Sequence, residues 1–240
     1  MGLLAACFWV STLHAQADGD PLPRFIIESR DDLVRALGGF GDPDGAFPRS
    51  AIVALEGRRV LPWLLKLARD ESAGHSRLAA LEVLMFTRDE GAIDVLIELA
   101  AEHGQVGDQA RRVLARFPHA RACRFWRDLL QKPDPTFSET ARAISGLGSC
   151  GADADLGIVV PFLTSDRDGY RLVAGVAVER IRQGSARDTN MYLKTPPRAD
   201  GSYVPTDSLA AIIRRSMCDG PCTELRIPAS RRLRPWRQYP

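Results

Sequence analysis

This sequence lacks an excess of charge of either sign. Lys and Arg number 32 against 30 Asp and Glu, a net charge of +2 over 240 residues. With a hydrophobic content of 45%, the bulk of the chain then reads as neither a polyanion binder nor disordered. Beyond the first residues, no segment approaches the ~18 apolar residues needed to span a bilayer. Histidine is scarce, and His75, His103 and His119 have no second His at i+3 or i+4. Each reads as a helix-boundary residue rather than a metal ligand or proton carrier. Ser149-Cys150 has no nearby base to activate it. Asp42-Pro43-Asp44-Gly45 lacks the later acidic ligands of a calcium loop and reads as a turn. Cys218-x-x-x-Cys222 has no second Cys or His pair near it, so it is not read as a zinc site. No catalytic, cofactor-binding or metal-binding residue is assigned.

The first residues read MGLLAACFWVSTLHAQADGD. An apolar run from Leu3 to Leu13 ends in Ala15-Gln16-Ala17, a small-x-small cleavage signal. Residues 1–17 therefore read as a signal peptide without a positive n-region, with cleavage before Asp18. A short buried N-terminal helix is the competing reading. Leu4–Cys7 resembles a lipobox, with three residues before it. Without Cys7, four cysteines remain: Cys123, Cys150, Cys218 and Cys222. In an oxidising compartment they allow two bridges, Cys123–Cys150 and Cys218–Cys222. Two buried free thiols would give the same sequence at Cys123 and Cys150.

What is present is a repeat. Small residues recur at Ala51, Ala80, Ala110, Ala141 and Ala174, spaced by 29, 30, 31 and 33. Ala54, Val83, Val113, Ile144 and Ala177 follow them at +3. A second column, Leu67, Leu99, Leu129 and Leu163, lies between these anchors. It is preceded three and four residues earlier by apolar positions that include Trp63 and Trp126. Apolar residues at i, i+1 and i+4 mark one face of a helix. Two such columns on a period of about 31 predict stacked helical hairpins. The tryptophans are therefore core residues rather than base-stacking platforms. Breaks rich in Gly, Pro, Asp and Ser place helix pairs at 49–70, 75–102, 107–131 and 138–165, with a last helix at 168–183. Ser29 to Phe40 reads as an N-terminal capping helix with Ser29 as N-cap. Residues 205–217 read as a second capping helix, whose Leu209, Ile212 and Ile213 would cover the last repeat.

The first-helix signature is Arg77-x-x-Ala80-x-x-Val83-Leu84, repeated as Arg171-x-x-Ala174-x-x-Ala177-Val178. The second-helix signature appears in LPWLLKLARD (61–70) and VVPFLTSD (159–166). Over residues 47–184 these motifs resemble the short bacterial HEAT repeats of phycobilin-lyase-like HEAT proteins. The resemblance implies an all-α fold: a right-handed α-solenoid of about four to five stacked hairpins, armadillo-like, with second helices on the concave side. The signature arginine is missing from the other units, where Pro48, Gly107 and Ser138 stand in its place.

The chain thus divides into a signal peptide (1–17), an N-terminal segment with a capping helix (18–46), the repeats (47–184) and a C-terminal extension (185–240). Residues 185–205 read as an irregular linker. The tail 226–240 carries five arginines with Trp236 and Tyr239. It is either a solvated terminus or a peripheral contact with anionic envelope surfaces. Glu90, Asp94, Glu98 and Glu102 fall four residues apart along one second helix, and Arg121, Arg124 and Arg127 three apart along the next. An acidic stripe would face a basic one, either as an ion-pair ladder between repeats or as a bipolar groove for a charged protein segment. The expected function is that of a non-catalytic scaffold, periplasmic or extracellular, that binds another protein and no nucleic acid. The alternatives are a chromophore lyase or chaperone, by the fold resemblance alone, and a nucleic-acid-binding HEAT-like protein.

Overall fold

The structure, a computed structural model, describes residues 22–38, 43–184, 193–194 and 198–217. The signal-peptide reading of residues 1–17, the Cys218–Cys222 bridge and the basic tail lie outside the described residues. The described chain is all-α. Helix α1 (Arg30–Leu37) is capped by Ser29, whose side chain accepts the Asp32 N–H, and it ends at Gly38. Four helix pairs follow: α2 (Pro43–Leu55) with α3 (Leu61–Arg69), α4 (His75–Thr87) with α5 (Ile93–Ala100), α6 (Gly104–Leu114) with α7 (Ala120–Leu130), and α8 (Phe137–Cys150) with the short α9 (Leu156–Val159). A 3-10 turn at Val160–Thr164 prolongs α9, and α10 (Asp168–Arg182) comes next. Pro43, expected in a turn, instead begins α2. Among the described residues, no helix is long and apolar enough to cross a membrane.

The helices pack in two rows. In one, α2, α4, α6, α8 and α10 follow one another; in the other, α3, α5 and α7 do. The anchors Ala51, Ala80, Ala110 and Ala174 are fully buried in the first row, and Leu67, Leu99 and Leu129 are buried in the second. Small anchors let helices approach closely. A Cβ on Gly148 of α8 would stand 2.7 Å from the Ala177 Cα of α10, and one on Gly146 would enter the Trp126 indole of α7. Beside this approach Cys123 and Cys150 form a disulfide, with Cα atoms 5.7 Å apart, that ties α7 to α8. The inward-facing column position of Cys123 and the glycine-lined end of α8 bring the two together.

The C-terminal extension departs from the sequence reading. Helix α11 (Asp207–Met217) does not cover the last repeat; it packs against α2, at the other end of the row. Leu209 and Ile213 are buried there, while Ile212 is exposed. The incoming chain is fixed by backbone bonds. The Arg58 N–H donates to the Gly201 carbonyl (3.2 Å), and the Tyr203 N–H donates to the Leu55 carbonyl (3.1 Å). The Tyr203 hydroxyl donates to the Thr87 carbonyl (2.8 Å). Gly57, at φ +59°, permits this seating, since a Cβ there would lie 1.8 Å from the Gly201 oxygen. The expected linker also holds an antiparallel pairing of β1 (Leu193–Lys194) with β2 (Val204–Pro205).

Candidate protein-binding face

The second-helix row presents charge because its apolar positions are used inward. In α5, Ile93, Val95, Leu96 and Leu99 are buried, which leaves Asp94 and Glu98 outside, one turn apart. In α7, Ala122, Cys123, Trp126 and Leu129 are buried; Arg121 and Arg124 face out, and Arg127 is half-buried. The acidic set is not confined to one helix. Glu90 belongs to the 3-10 turn Glu90–Ala92 before α5, and Glu102 lies beyond the end of α5.

The two stripes meet at one point only, the ion pair of Asp94 with Arg121. Glu98 turns the other way and takes both Nε (2.9 Å) and a terminal nitrogen (2.7 Å) of Arg69 on α3. Arg127 reaches forward to Asp155, just before α9, with Nε–Oδ1 2.5 Å and a second bond of 2.9 Å. Each second helix is thereby tied to the next by one pair. Glu102 pairs with buried Arg77 of α4 (2.9 Å). Arg124 and Glu90 are exposed and carry no ion pair among the described residues.

These pairs differ in character. Arg69, Glu98 and Arg121 are about half exposed and Asp94 is more so, so each pair contributes ~1 kcal/mol or less. The Arg69 hydrogen bond above all holds the Glu98 carboxyl below its ordinary pKa, against the opposing effect of burial. Asp155 is 2% exposed. Its carboxylate accepts two bonds from Arg127 and the Ala152 N–H (2.9 Å), and the Arg127 bond above all lowers its pKa. Arg127–Asp155 is therefore an internal strut, while Asp94–Arg121 and Arg69–Glu98 are surface groups.

A further set of arginines was not legible as a set. Arg49 of α2 donates to the Gly38 carbonyl (2.6 Å), Arg77 of α4 to Ala68 (2.9 Å), Arg111 of α6 to Ala100 (2.5 Å) and Arg171 of α10 to Ser165 (2.7 Å). Each caps carbonyls left open where the preceding element ends. Arg111 lies four residues after Gly107, the expected position, and one helical turn keeps it on the same face. A Cβ on Gly107 would strike the Glu102 carbonyl at 1.9 Å, so no larger residue fits there.

The histidines lie at helix starts, as expected. His75 begins α4, His103 is the N-cap of α6, and the His119 Nδ1 accepts the Arg121 N–H at the start of α7 (3.1 Å). The Ser149 hydroxyl donates to the Ser145 carbonyl (3.3 Å). Trp126 is fully buried and Trp63 packs against the core. Among the described residues, no group of three or more His, Cys, Asp or Glu is placed to hold a metal ion. No known protein-family model matches the chain, and no curated protein matches it.

Proposed function

We propose that the chain is a non-catalytic, exported scaffold, a HEAT-like right-handed α-solenoid that binds a charged segment of another protein along the concave face of its second helices. The observation that carries this reading is the exposed part of the ladder, Asp94–Arg121 and Arg69–Glu98. These pairs contribute little to the fold, so a partner's charges can replace them at small cost. Glu90 and Arg124, exposed and without an ion pair among the described residues, add one charge of each sign to the same row, the bipolar pattern that suits a peptide carrying both signs. The Cys123–Cys150 disulfide supports export, because such bonds persist in oxidising compartments.

The test is capture from envelope extract by the wild-type chain and by an Asp94→Lys, Glu98→Lys double variant. The variant keeps the wild-type circular dichroism and loses the partner, and wild-type capture weakens as salt rises. Equal capture by both proteins would show that the ladder is structural only. Export is read separately: N-terminal sequencing of the secreted or periplasmic protein begins at Asp18, and recovery of intact Met1 from the cytosol removes that half of the proposal.

A further inference from the structure

The Cys123–Cys150 bond joins two unlike helix ends. Cys123 is 3% exposed, whereas Cys150 is only half-buried. Cys123 lies in the first turn of α7, and its N–H donates to the carbonyl of the N-cap residue His119 (3.0 Å). A helical side chain leans toward the N-terminus of its helix, so this sulfur stands at the positive end of the α7 dipole. Arg124 follows it, exposed and without an ion pair among the described residues. Arg121 and Arg127 lie on the same helix, paired with Asp94 and Asp155. Cys150 is the last residue of α8, at the negative end of that helix, and Asp153 and Asp155 follow it. Negative charge is therefore held better on the Cys123 Sγ than on the Cys150 Sγ. Two other contacts keep the region together without the bond: Trp126 packs over Gly146, and Arg127 holds Asp155.

We infer that this disulfide is a polarised thiol-exchange site, opened at Cys150 by a low-molecular-weight thiol. The incoming thiolate attacks the accessible Cys150 Sγ and forms a mixed disulfide there. The Cys123–Cys150 bond breaks, and its electron pair leaves on the Cys123 Sγ, the better leaving group. A second thiolate then attacks the outer sulfur of the adduct. It releases the Cys150 thiolate and carries away the oxidised thiol as its own disulfide, so the chain is reduced by two electrons. In the reverse direction the Cys123 thiolate attacks the adduct and expels the small thiol. Cys150 is thus a site of reversible S-thiolation, and its modification frees the last turn of α8 from α7. The inference rests on neither the export nor the scaffold reading.

The test is quenched exchange on the purified full chain. Folded protein is treated with reduced glutathione, alkylated with iodoacetamide after short intervals and mapped by peptide mass. Early products carry glutathione on Cys150 and the alkyl group on Cys123; later products carry alkyl groups on both. Arg124→Glu slows the first step roughly threefold or more, while Arg215→Glu, on α11 at the other end of the row, leaves it unchanged. Circular dichroism confirms that both variants are folded. Hydrogen exchange of the last turn of α8 quickens in the thiolated chain, and that of α2 does not. Glutathione first on Cys123, a first step indifferent to Arg124→Glu, or an α8 unaffected by thiolation would overturn the inference. Exchange that begins only in denaturant would also overturn it, by making the bond a structural brace alone.

Discussion

The two ends of the helix rows are finished differently. At the N-terminal end, α1 packs on α2, α3 and α4, and α11 arrives from the far end of the chain to bury Leu209 and Ile213 against α2. At the C-terminal end, Leu172 and Val176 face solvent, and cohesion is internal: the Cys123–Cys150 bond between α7 and α8, and the Arg127–Asp155 pair. One end is sealed from outside with apolar surface. The other is fastened within by a covalent bond and an ion pair. A helical hairpin needs its exposed flank either covered or braced, and this chain uses both solutions.

The largest expected effect comes from breaking the seal. Leu209→Ala removes a fully buried side chain and costs ~2–5 kcal/mol in urea denaturation, whereas Leu172→Ala at the open end costs under ~0.5 kcal/mol. Equal effects at the two sites would erase the contrast. Next comes the brace. Replacing Cys123 and Cys150 together by Ala frees a loop 27 residues long and costs ~2–4 kcal/mol. Hydrogen exchange should place that loss in α7–α10 and leave the amides of α1 and α2 slow. The smallest effect is that of acid on Asp155. Its pKa in the folded chain lies below the unfolded value of ~3.9, so the pair's contribution is complete above pH ~4 and is lost as pH falls through the folded pKa. Arg127→Ala costs ~1–2 kcal/mol at neutral pH and much less in acid, measured as denaturant midpoints against pH.

The columns were legible because periodicity reports burial directly. Ala80, Leu99 and Trp126 occupy the interior that their spacing assigned to them. The Cys123–Cys150 pairing was legible as one of two readings: antiparallel neighbouring helices place the start of one beside the end of the other, but two buried free thiols would have given the same sequence. The destination of α11 was not. Leu209, Ile212 and Ile213 state that one face must be buried but not against what, and the nearer repeat end was the wrong choice. The arginines were half legible: a strict register finds Arg77 and Arg171 and misses Arg111, because a long side chain can start one turn later and reach the same kind of carbonyl. The charge stripes were legible in composition but not in partner, since side chains at one spacing can turn toward either neighbouring helix, as Asp94 and Glu98 do.

The bond from the Tyr203 hydroxyl to the Thr87 carbonyl spans 116 residues. Helix pairs that touch their neighbours in sequence form from local contacts and can assemble as the chain emerges. The N-terminal seal cannot: its material follows all ten of the other helices in the chain. During synthesis, α2 must wait with an uncovered apolar flank until residues 201–213 follow the helix pairs. The pair α2–α3 is then completed only after the pairs that follow it, and through that interval its open flank is surface prone to aggregation.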